Sequence, residues 1–242
     1  MGTVTMALVA LLLAGVPEAG ASGEAPGTFV AKTLTVRGET YPYSVYLPAG
    51  YHRGTAWPVI LALHGGGARG TDGLGPRTQS LAEAARQHPE RYPALLVLPQ
   101  CPPDQEWSGA LADFALAALE RTVAEYGGDR QRVYLTGQSM GARGAVLLAA
   151  RQPERFAAVL ALSGRHTDRS VVERLKRTPL WVWHGDADPA VSESRSLVAQ
   201  LKSAGSSTVR YTELAGLGHD IFDTVYLDAA VSTWLFAQRR GK

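Results

Sequence analysis

The sequence has little of what a disulfide framework or a nucleic-acid-binding surface requires. It contains one cysteine, Cys101, which excludes an intramolecular disulfide and any zinc site built from cysteines. The formal net charge is only +2, and the basic residues are scattered, with no run beyond Arg239-Arg240. Because clustered basic residues are the electrostatic signature of nucleic-acid binding, we expect no nucleic-acid partner.

The composition is that of a folded chain with a full apolar core. Of the 242 residues, 45% are hydrophobic and 19% are charged, whereas disordered chains are poor in apolar residues and rich in charge. No internal repeat or long linker divides the sequence. We therefore predict a single domain over residues 28–242.

The N-terminus has the pattern of a targeting segment. The apolar stretch from Met6 to Val16 is about 11 residues long, which is too short to span a bilayer. Ala19-Gly20-Ala21 then supplies small residues at the spacing of a cleavage site. This pattern predicts a signal peptide over residues 1–21, cut after Ala21, and a secreted or periplasmic protein. An uncleaved membrane anchor and a start at Met6 are the alternatives.

The remainder alternates between predicted strands and predicted helices. Thr28–Val36 and Tyr41–Leu47 read as an antiparallel hairpin, and the continuous apolar run Val59–Leu63 reads as a strand buried on both faces. Further strands are predicted at Ala94–Leu98, Val133–Thr136, Phe156–Leu162, Leu180–Trp183 and Val209–Leu214. Helices are predicted at Leu81–Gln87, Gly109–Tyr126, Ala142–Arg151, Val171–Arg177, Ser194–Ala204 and Val225–Gln238.

This alternation predicts an α/β fold with a mainly parallel sheet and helices on both faces. The opening hairpin adds an antiparallel edge. The connection Ser163–Arg177 has room for one short helix only, so we expect no cap domain and an open cleft. Ligands of such sheets bind at the carboxyl ends of the strands, which directs attention to the residues that follow each strand.

Gly137-Gln138-Ser139-Met140-Gly141 follows one predicted strand and opens a helix. A sharp strand–turn–helix connection of this kind exposes a nucleophilic serine, here Ser139. The next backbone N–H, that of Met140, lies at the positive end of the helix, where it can stabilise an oxyanion.

His64-Gly65-Gly66-Gly67 directly follows the strand Val59–Leu63. A glycine-rich loop at this place supplies the second oxyanion donor, for which Gly66 is preferred and Gly67 is the alternative. A dinucleotide site is not indicated, because the G-x-G-x-x-G pattern is missing. We therefore expect no cofactor.

His184-Gly185-Asp186-Ala187-Asp188-Pro189 follows a third strand and offers two carboxylates that could orient a histidine. Asp188 is preferred, since Asp186 is better placed to cap the loop through backbone amides. A metal site made by His184 and the two aspartates is the alternative. No further ligand cluster accompanies it, so we expect no metal.

His219 in Gly218-His219-Asp220 follows the last strand and is free to reach the nucleophile. The chain order of the serine, the aspartate and this histidine is the order that α/β-hydrolases use. His52, His88 and His166 fit no such position and are interpreted as surface or loop residues.

The chain resembles α/β-hydrolases of the carboxylesterase, phospholipase and dienelactone-hydrolase type. Within these it is similar to the secreted bacterial group labelled "predicted peptidase" or polyhydroxybutyrate-depolymerase-like esterase. The resemblance runs from Tyr43 to the end and is carried by the four motifs above, together with Leu98-Pro99-Gln100-Cys101-Pro102 and Trp107.

The resemblance and the triad together imply an exported serine hydrolase that cleaves carboxylic esters. Small-molecule or polymer-attached esters are the expected substrates. Trp107 and Met140 are expected to line the acyl or alcohol pocket, and Cys101 is discounted as a nucleophile. A serine peptidase, an acyltransferase or a non-catalytic binding protein on the same fold are the alternatives.

Overall fold

The computed structural model describes residues 27–166, 168 and 170–241, and the predicted signal peptide lies outside them. The described residues form an eight-stranded sheet in the order β1-β2-β4-β3-β5-β6-β7-β8. The strands are β1 Phe29–Val36, β2 Glu39–Tyr46, β3 Trp57–Leu63, β4 Leu95–Pro99, β5 Gly128–Gln138, β6 Ala158–Leu162, β7 Leu180–Gly185 and β8 Val209–Leu214. The β1/β2 and β2/β4 pairs are antiparallel, and every other pair is parallel.

Helices cover both faces of this sheet, as predicted. They are α1 Ser80–Gln87, α2 Gly109–Tyr126, α3 Met140–Arg151, α4 Val171–Leu175, α5 Val191–Ser203, α6 Phe222–Leu227 and α7 Ala229–Ala237. One hydrophobic core lies under α2, α3, α4 and α5, and the other lies under α1, α6 and α7. The fold is therefore the α/β-hydrolase sandwich that the sequence predicts.

The β3 strand shows why a strand that is buried on both faces has a continuous run of apolar residues. Successive side chains of a strand point to opposite faces of the sheet. Val59, Leu61 and Leu63 accordingly enter the first core, whereas Ile60 enters the second. The edge hairpin turns at Arg37-Gly38, both of which have positive φ, and this is the two-residue turn that matches the twist of antiparallel strands.

Most boundaries shift by one to three residues, and two differences from the sequence prediction are larger. The β5 strand begins at Gly128 rather than Val133, because Gly128 pairs with Trp57 at the amino end of β3, before an irregularity after which Val59 pairs with Val133. The predicted helix Val225–Gln238 is two helices, since the carboxylate of Asp228 accepts the Ala230 N–H and starts a new helix. No helix in the described part of the chain is both long and apolar enough to cross a bilayer.

The connection between β6 and β7 is the place where a cap over the carboxyl ends of the strands would be inserted. Within the described residues this connection contains only the short helix α4. These described residues form no cap, and the carboxyl ends of β3, β5 and β8 open to a surface depression of about 380 Å³.

Candidate active site

Ser139 sits in a strained turn between β5 and α3. Its φ of 54° and ψ of −117° lie outside the regions that non-glycine residues favour. The turn is held from both sides, since the Ser139 N–H donates to the Leu162 carbonyl at 2.8 Å and its own carbonyl accepts the Ala142 N–H at 3.0 Å. Strain kept in place by fixed neighbours is typical of a nucleophile that must project from the backbone.

His219 and Asp188 meet this serine in one hydrogen-bonded chain. Nε2 of His219 lies 2.8 Å from Oγ of Ser139, and Nδ1 of His219 lies 2.6 Å from Oδ2 of Asp188. Because a carboxylate can only accept, Nδ1 carries the hydrogen and Nε2 is left free to accept the serine proton. The loops after β5, β7 and β8 thus bring the three predicted residues together.

Asp188 is buried and bonds His219, whereas Asp186 is exposed. Burial opposes ionisation of Asp188, but the Ala190 N–H and the His219 and His184 side chains overcome it and hold the Asp188 pKa at about 2. Oδ1 of Asp186 instead accepts the Gly216 N–H at 2.7 Å, which ties the two neighbouring loops. The geometry therefore favours Asp188 over Asp186, as expected.

The two predicted oxyanion donors lie beside the serine. Met140 is the first residue of α3, and Gly66 is the first residue of a 3₁₀ turn at Gly66–Ala68. The first N–H groups of a helical segment have no partner within it. Gly65, Gly66 and Gly67 line the same depression as Ser139 and His219, and Met140 directly follows Ser139 in the chain.

Trp107 lies behind the glycine loop and not in the depression, which corrects the expectation that it lines the substrate pocket. It is buried, its Nε1–H donates to the His64 carbonyl at 3.0 Å, and its ring packs edge-on against the His64 imidazole. It also covers Gly144 of α3, where a Cβ atom would overlap the Trp107 side chain. Trp107 therefore anchors the loop that presents Gly66.

Sequence reasoning missed several residues that line the depression: Thr78, Gln79, Ser80, Gln138, Asp220, Phe222 and Asp223. Nε2 of Gln138 donates to Oε1 of Gln79 at 2.7 Å, which joins the residue before the nucleophile to the segment before α1. The Phe222 ring meets the His219 ring edge-on at 5.8 Å. The position of Gln138 and Asp220 within the motifs was the one available signal; nothing in the sequence marked Gln79.

The burial of His166 and of Cys101 bears on two further sequence predictions. His166 lies in a loop, as expected, but it is buried rather than on the surface. Burial, together with the charges of His184 and Arg143, lowers the His166 pKa to about 4. Cys101 is buried, and burial raises its pKa to about 11, so the thiolate that a nucleophile requires is disfavoured.

The metal alternative finds no cluster to support it. Among residues 27–166, 168 and 170–241, no group of three or more histidine, cysteine, aspartate and glutamate side chains is arranged so that it could hold a metal ion. His184 bonds Asp188 directly, whereas Asp186 accepts the Gly216 N–H.

An open, mainly parallel sheet with a serine, a histidine and an aspartate on its carboxyl edge defines the α/β-hydrolase class. The family described as "Putative esterase" matches residues 35–212, which is most of the chain. The chain therefore belongs to this esterase family. No curated protein is significantly similar to the chain.

Solved structures agree with this assignment. A thermostable esterase is 32% identical over 88% of the chain, with a TM-score of 0.79, and the chain spans 63% of that protein's length. A feruloyl esterase module from Clostridium thermocellum is 16% identical, with a TM-score of 0.71 and coverage of 86% of this chain and 87% of that one. A fluorophosphonate-binding serine hydrolase of Staphylococcus aureus is 15% identical, with a TM-score of 0.68 and coverage of 88% and 99%. At 16% and 15% identity, the last two structures show similarity of fold only.

Proposed function

We propose that this protein is an exported serine esterase that cleaves carboxylic esters through Ser139, His219 and Asp188 by way of an acyl-enzyme. The observation that carries the proposal is the continuous chain of hydrogen bonds from Asp188 through His219 to Ser139. A serine hydroxyl is a weak nucleophile at neutral pH and needs an oriented base, which this chain supplies.

The first half of the reaction forms the acyl-enzyme. Oγ of Ser139 attacks the ester carbonyl carbon while its proton passes to Nε2 of His219. Asp188 stabilises the resulting imidazolium, and the N–H groups of Met140 and Gly66 bind the oxyanion. Loss of one such donor costs about 3 to 4 kcal/mol of transition-state stabilisation in known hydrolases. The carbonyl re-forms, the ester C–O bond breaks, and the alcohol departs with the proton held by His219.

The second half releases the acid. Water gives a proton to Nε2 of His219 and attacks the acyl carbon, and the same N–H groups bind the second oxyanion. Collapse of this intermediate returns the proton to Oγ of Ser139 and frees the carboxylic acid. No metal or cofactor enters these steps.

The shape of the depression guides the choice of substrate. It is open, it has a volume of about 380 Å³, and polar side chains dominate its lining beside the single ring of Phe222. An open, polar depression suits short acyl groups on bulky or polymer-attached alcohols better than long acyl chains, which need an apolar tunnel.

The test is hydrolysis of p-nitrophenyl acetate, butyrate, octanoate and palmitate, with labelling by a fluorophosphonate probe. We expect turnover that declines with chain length, and loss of both turnover and labelling in Ser139→Ala. Ser80→Ala is the matched control, because Ser80 lines the same depression and lies outside the hydrogen-bonded chain. Labelling without ester turnover would indicate a peptidase or an acyltransferase, and absence of labelling would contradict the triad.

Export is tested on the protein made in a bacterial host. The apolar segment from Met6 to Val16 and the small residues before Ser22 support it. We expect the mature protein in the periplasm or the medium, with Ser22 as its first residue by N-terminal sequencing. A cytoplasmic protein that retains Met1 or begins at Met6 would contradict export.

A further inference from the structure

A second histidine bonds the aspartate of the triad. Oδ2 of Asp188 lies 2.6 Å from Nδ1 of His219 and 2.9 Å from Nε2 of His184. Both imidazoles therefore meet the same carboxylate oxygen. Oδ1 of Asp188 is occupied separately, by the Ala190 N–H at 2.9 Å.

His184 reaches Asp188 from a rigid and dry position. It belongs to β7, and none of its surface is exposed. Its other nitrogen, Nδ1, lies 2.7 Å from Oγ of Ser194 on α5. Because a carboxylate has no hydrogen to give, Nε2 of His184 must donate to Asp188. Both ring nitrogens thus have partners, and one strand and one helix fix the ring plane.

The side chain of Asp188 has fewer fixed partners than the ring of His184. It lies in the loop between β7 and α5, and one backbone N–H holds its Oδ1. Among the described residues, the only other donors recorded on its carboxylate are the two imidazoles. The His219 side chain is 47% exposed, so it cannot hold the carboxylate as a buried donor can. The buried donor His184 therefore stands where it fixes the rotation of the carboxylate.

We propose that His184 is a positioning residue, whose Nε2–H holds Oδ2 of Asp188 in the orientation that receives Nδ1–H of His219. This rests on the proposed function, since it assigns His184 a part in that triad. The bond also shares the negative charge of Oδ2 between two donors, which moderates how strongly Asp188 stabilises the protonated form of His219.

Few other charged groups face His184. Besides Asp188 and His219, Glu213 on β8 and His166 in the loop after β6 interact with it electrostatically. Ser194 is its neutral partner on α5. Glu213 is occupied by Arg195, with which it forms two hydrogen bonds of 2.7 Å each. Removal of the His184 hydrogen bond should therefore affect Asp188 and not Glu213.

A matched pair of amides tests the proposal. The side-chain nitrogen of glutamine falls near Nε2 of a histidine and can still donate to Asp188. The nitrogen of asparagine falls near Nδ1, where it reaches Ser194 only. We expect His184→Asn to lower kcat about 10- to 100-fold with little change in KM. Losses of this size follow removal of a residue that orients a metal-binding side chain in an active site. His184→Gln should stay within about threefold of the wild type, and equal kcat in the two variants would overturn the proposal.

Coupling to Asp188 separates positioning from a merely structural role. In an Asp188→Asn background, His184→Asn should cost no further activity, because residues that act through one another are not additive. If the fold-loss of activity in the double variant instead equals the product of the losses in the two single variants, the proposal is overturned. His166→Leu is the control for a buried histidine at the same sheet edge, since neither of its ring nitrogens has a recorded hydrogen bond. It should retain wild-type kcat.

A readout that needs no ester keeps this test distinct from the proposed function. The Nδ1–H resonance of His219, which the hydrogen bond to Asp188 moves downfield, can be followed by NMR in each variant. We expect this resonance to move upfield or disappear in His184→Asn, because a carboxylate that is free to rotate no longer holds the hydrogen, and to match the wild type in His184→Gln. An unchanged resonance in His184→Asn would overturn the positioning role. Absence of ester turnover in the wild type would count against the proposed function alone.

Discussion

Nε2 of His64 accepts the backbone N–H of Cys101 at 2.9 Å, and this bond fixes the tautomer of a buried imidazole. Nδ1 must then carry the hydrogen, and it donates to the Gly65 carbonyl at 2.6 Å. In a planar trans peptide the carbonyl and the following N–H point in opposite directions. By holding the Gly65 carbonyl, His64 thus fixes the direction of the Gly66 N–H.

We expect His64→Leu to lower kcat about 100-fold with little effect on KM, because the Gly66 donor acts on the transition state. The variant also leaves the buried Cys101 N–H without a partner, which costs about 1 to 3 kcal/mol of stability. Steady-state kinetics and urea unfolding measure the two effects. The control is His88→Gln, a partly exposed histidine of the α1 C-cap that should behave as wild type. A His64→Leu variant with normal kcat would contradict the orienting role.

The nucleophile turn depends on a close approach of two backbones. A Cβ atom at Gly141 would overlap the Leu63 carbonyl oxygen, whereas a Cβ atom at Gly67 would meet nothing within 4 Å. We expect Gly141→Ala to destabilise the protein by more than about 3 kcal/mol, since backbone cannot move aside cheaply. Gly67→Ala should change stability by less than about 0.5 kcal/mol. Urea unfolding of both variants checks this, and similar midpoints would contradict the close approach.

Buried neutral histidines predict how the protein responds to acid. Burial lowers the pKa of His64 and of His166 to about 4, whereas an unfolded histidine titrates at about 6.5. Between these pH values the unfolded chain binds more protons, so the free energy of unfolding falls as the pH falls. From pH 7 to pH 5 each histidine contributes a loss of about 2 kcal/mol.

His166→Leu tests this directly. Removing one buried histidine should make the loss of stability from pH 7 to pH 5 smaller by about 2 kcal/mol than in the wild type. Urea unfolding at both pH values measures the difference. His52→Leu, which replaces an exposed histidine near the surface turn before β3, should keep the wild-type response. Equal losses in wild type and His166→Leu would show that His166 does not set the acid sensitivity.

The fold was predictable wherever a motif and its flanking elements agree. The local sequence indicates both the strand before Ser139 and the helix after it, so the position of Ser139 in the turn between them could be predicted. The positions of His219 and Asp188 could be predicted for the same reason, because each follows a strand whose carboxyl end lies on one shared edge.

What the sequence could not supply depends on contacts between distant segments. Trp107 bonds the carbonyl of His64, 43 residues away, and such a bond leaves no local pattern. His166 occupies a loop that reads as polar, yet the surrounding helices bury it. The role of His184 is hidden in the same way, since a histidine that ends an apolar strand reads equally well as core or as ligand.

The choice between the two aspartates of the β7 loop can be measured with a matched pair. Asp188→Asn should lower kcat about 10⁴-fold, as the same exchange does in serine proteases, because the amide favours the wrong tautomer of the histidine. Asp186→Asn should change kcat by less than about threefold, since the Asp186 carboxylate accepts the Gly216 N–H and, among the described residues, does not bond His219. In the wild type, the Asp188 pKa of about 2 keeps this carboxylate ionised down to acidic pH. Asp188 should therefore add no proton to the acid limb of kcat/KM, and the log–log slope of this limb should be 1. A slope of 2 above pH 4, or a larger loss in Asp186→Asn than in Asp188→Asn, would contradict this assignment.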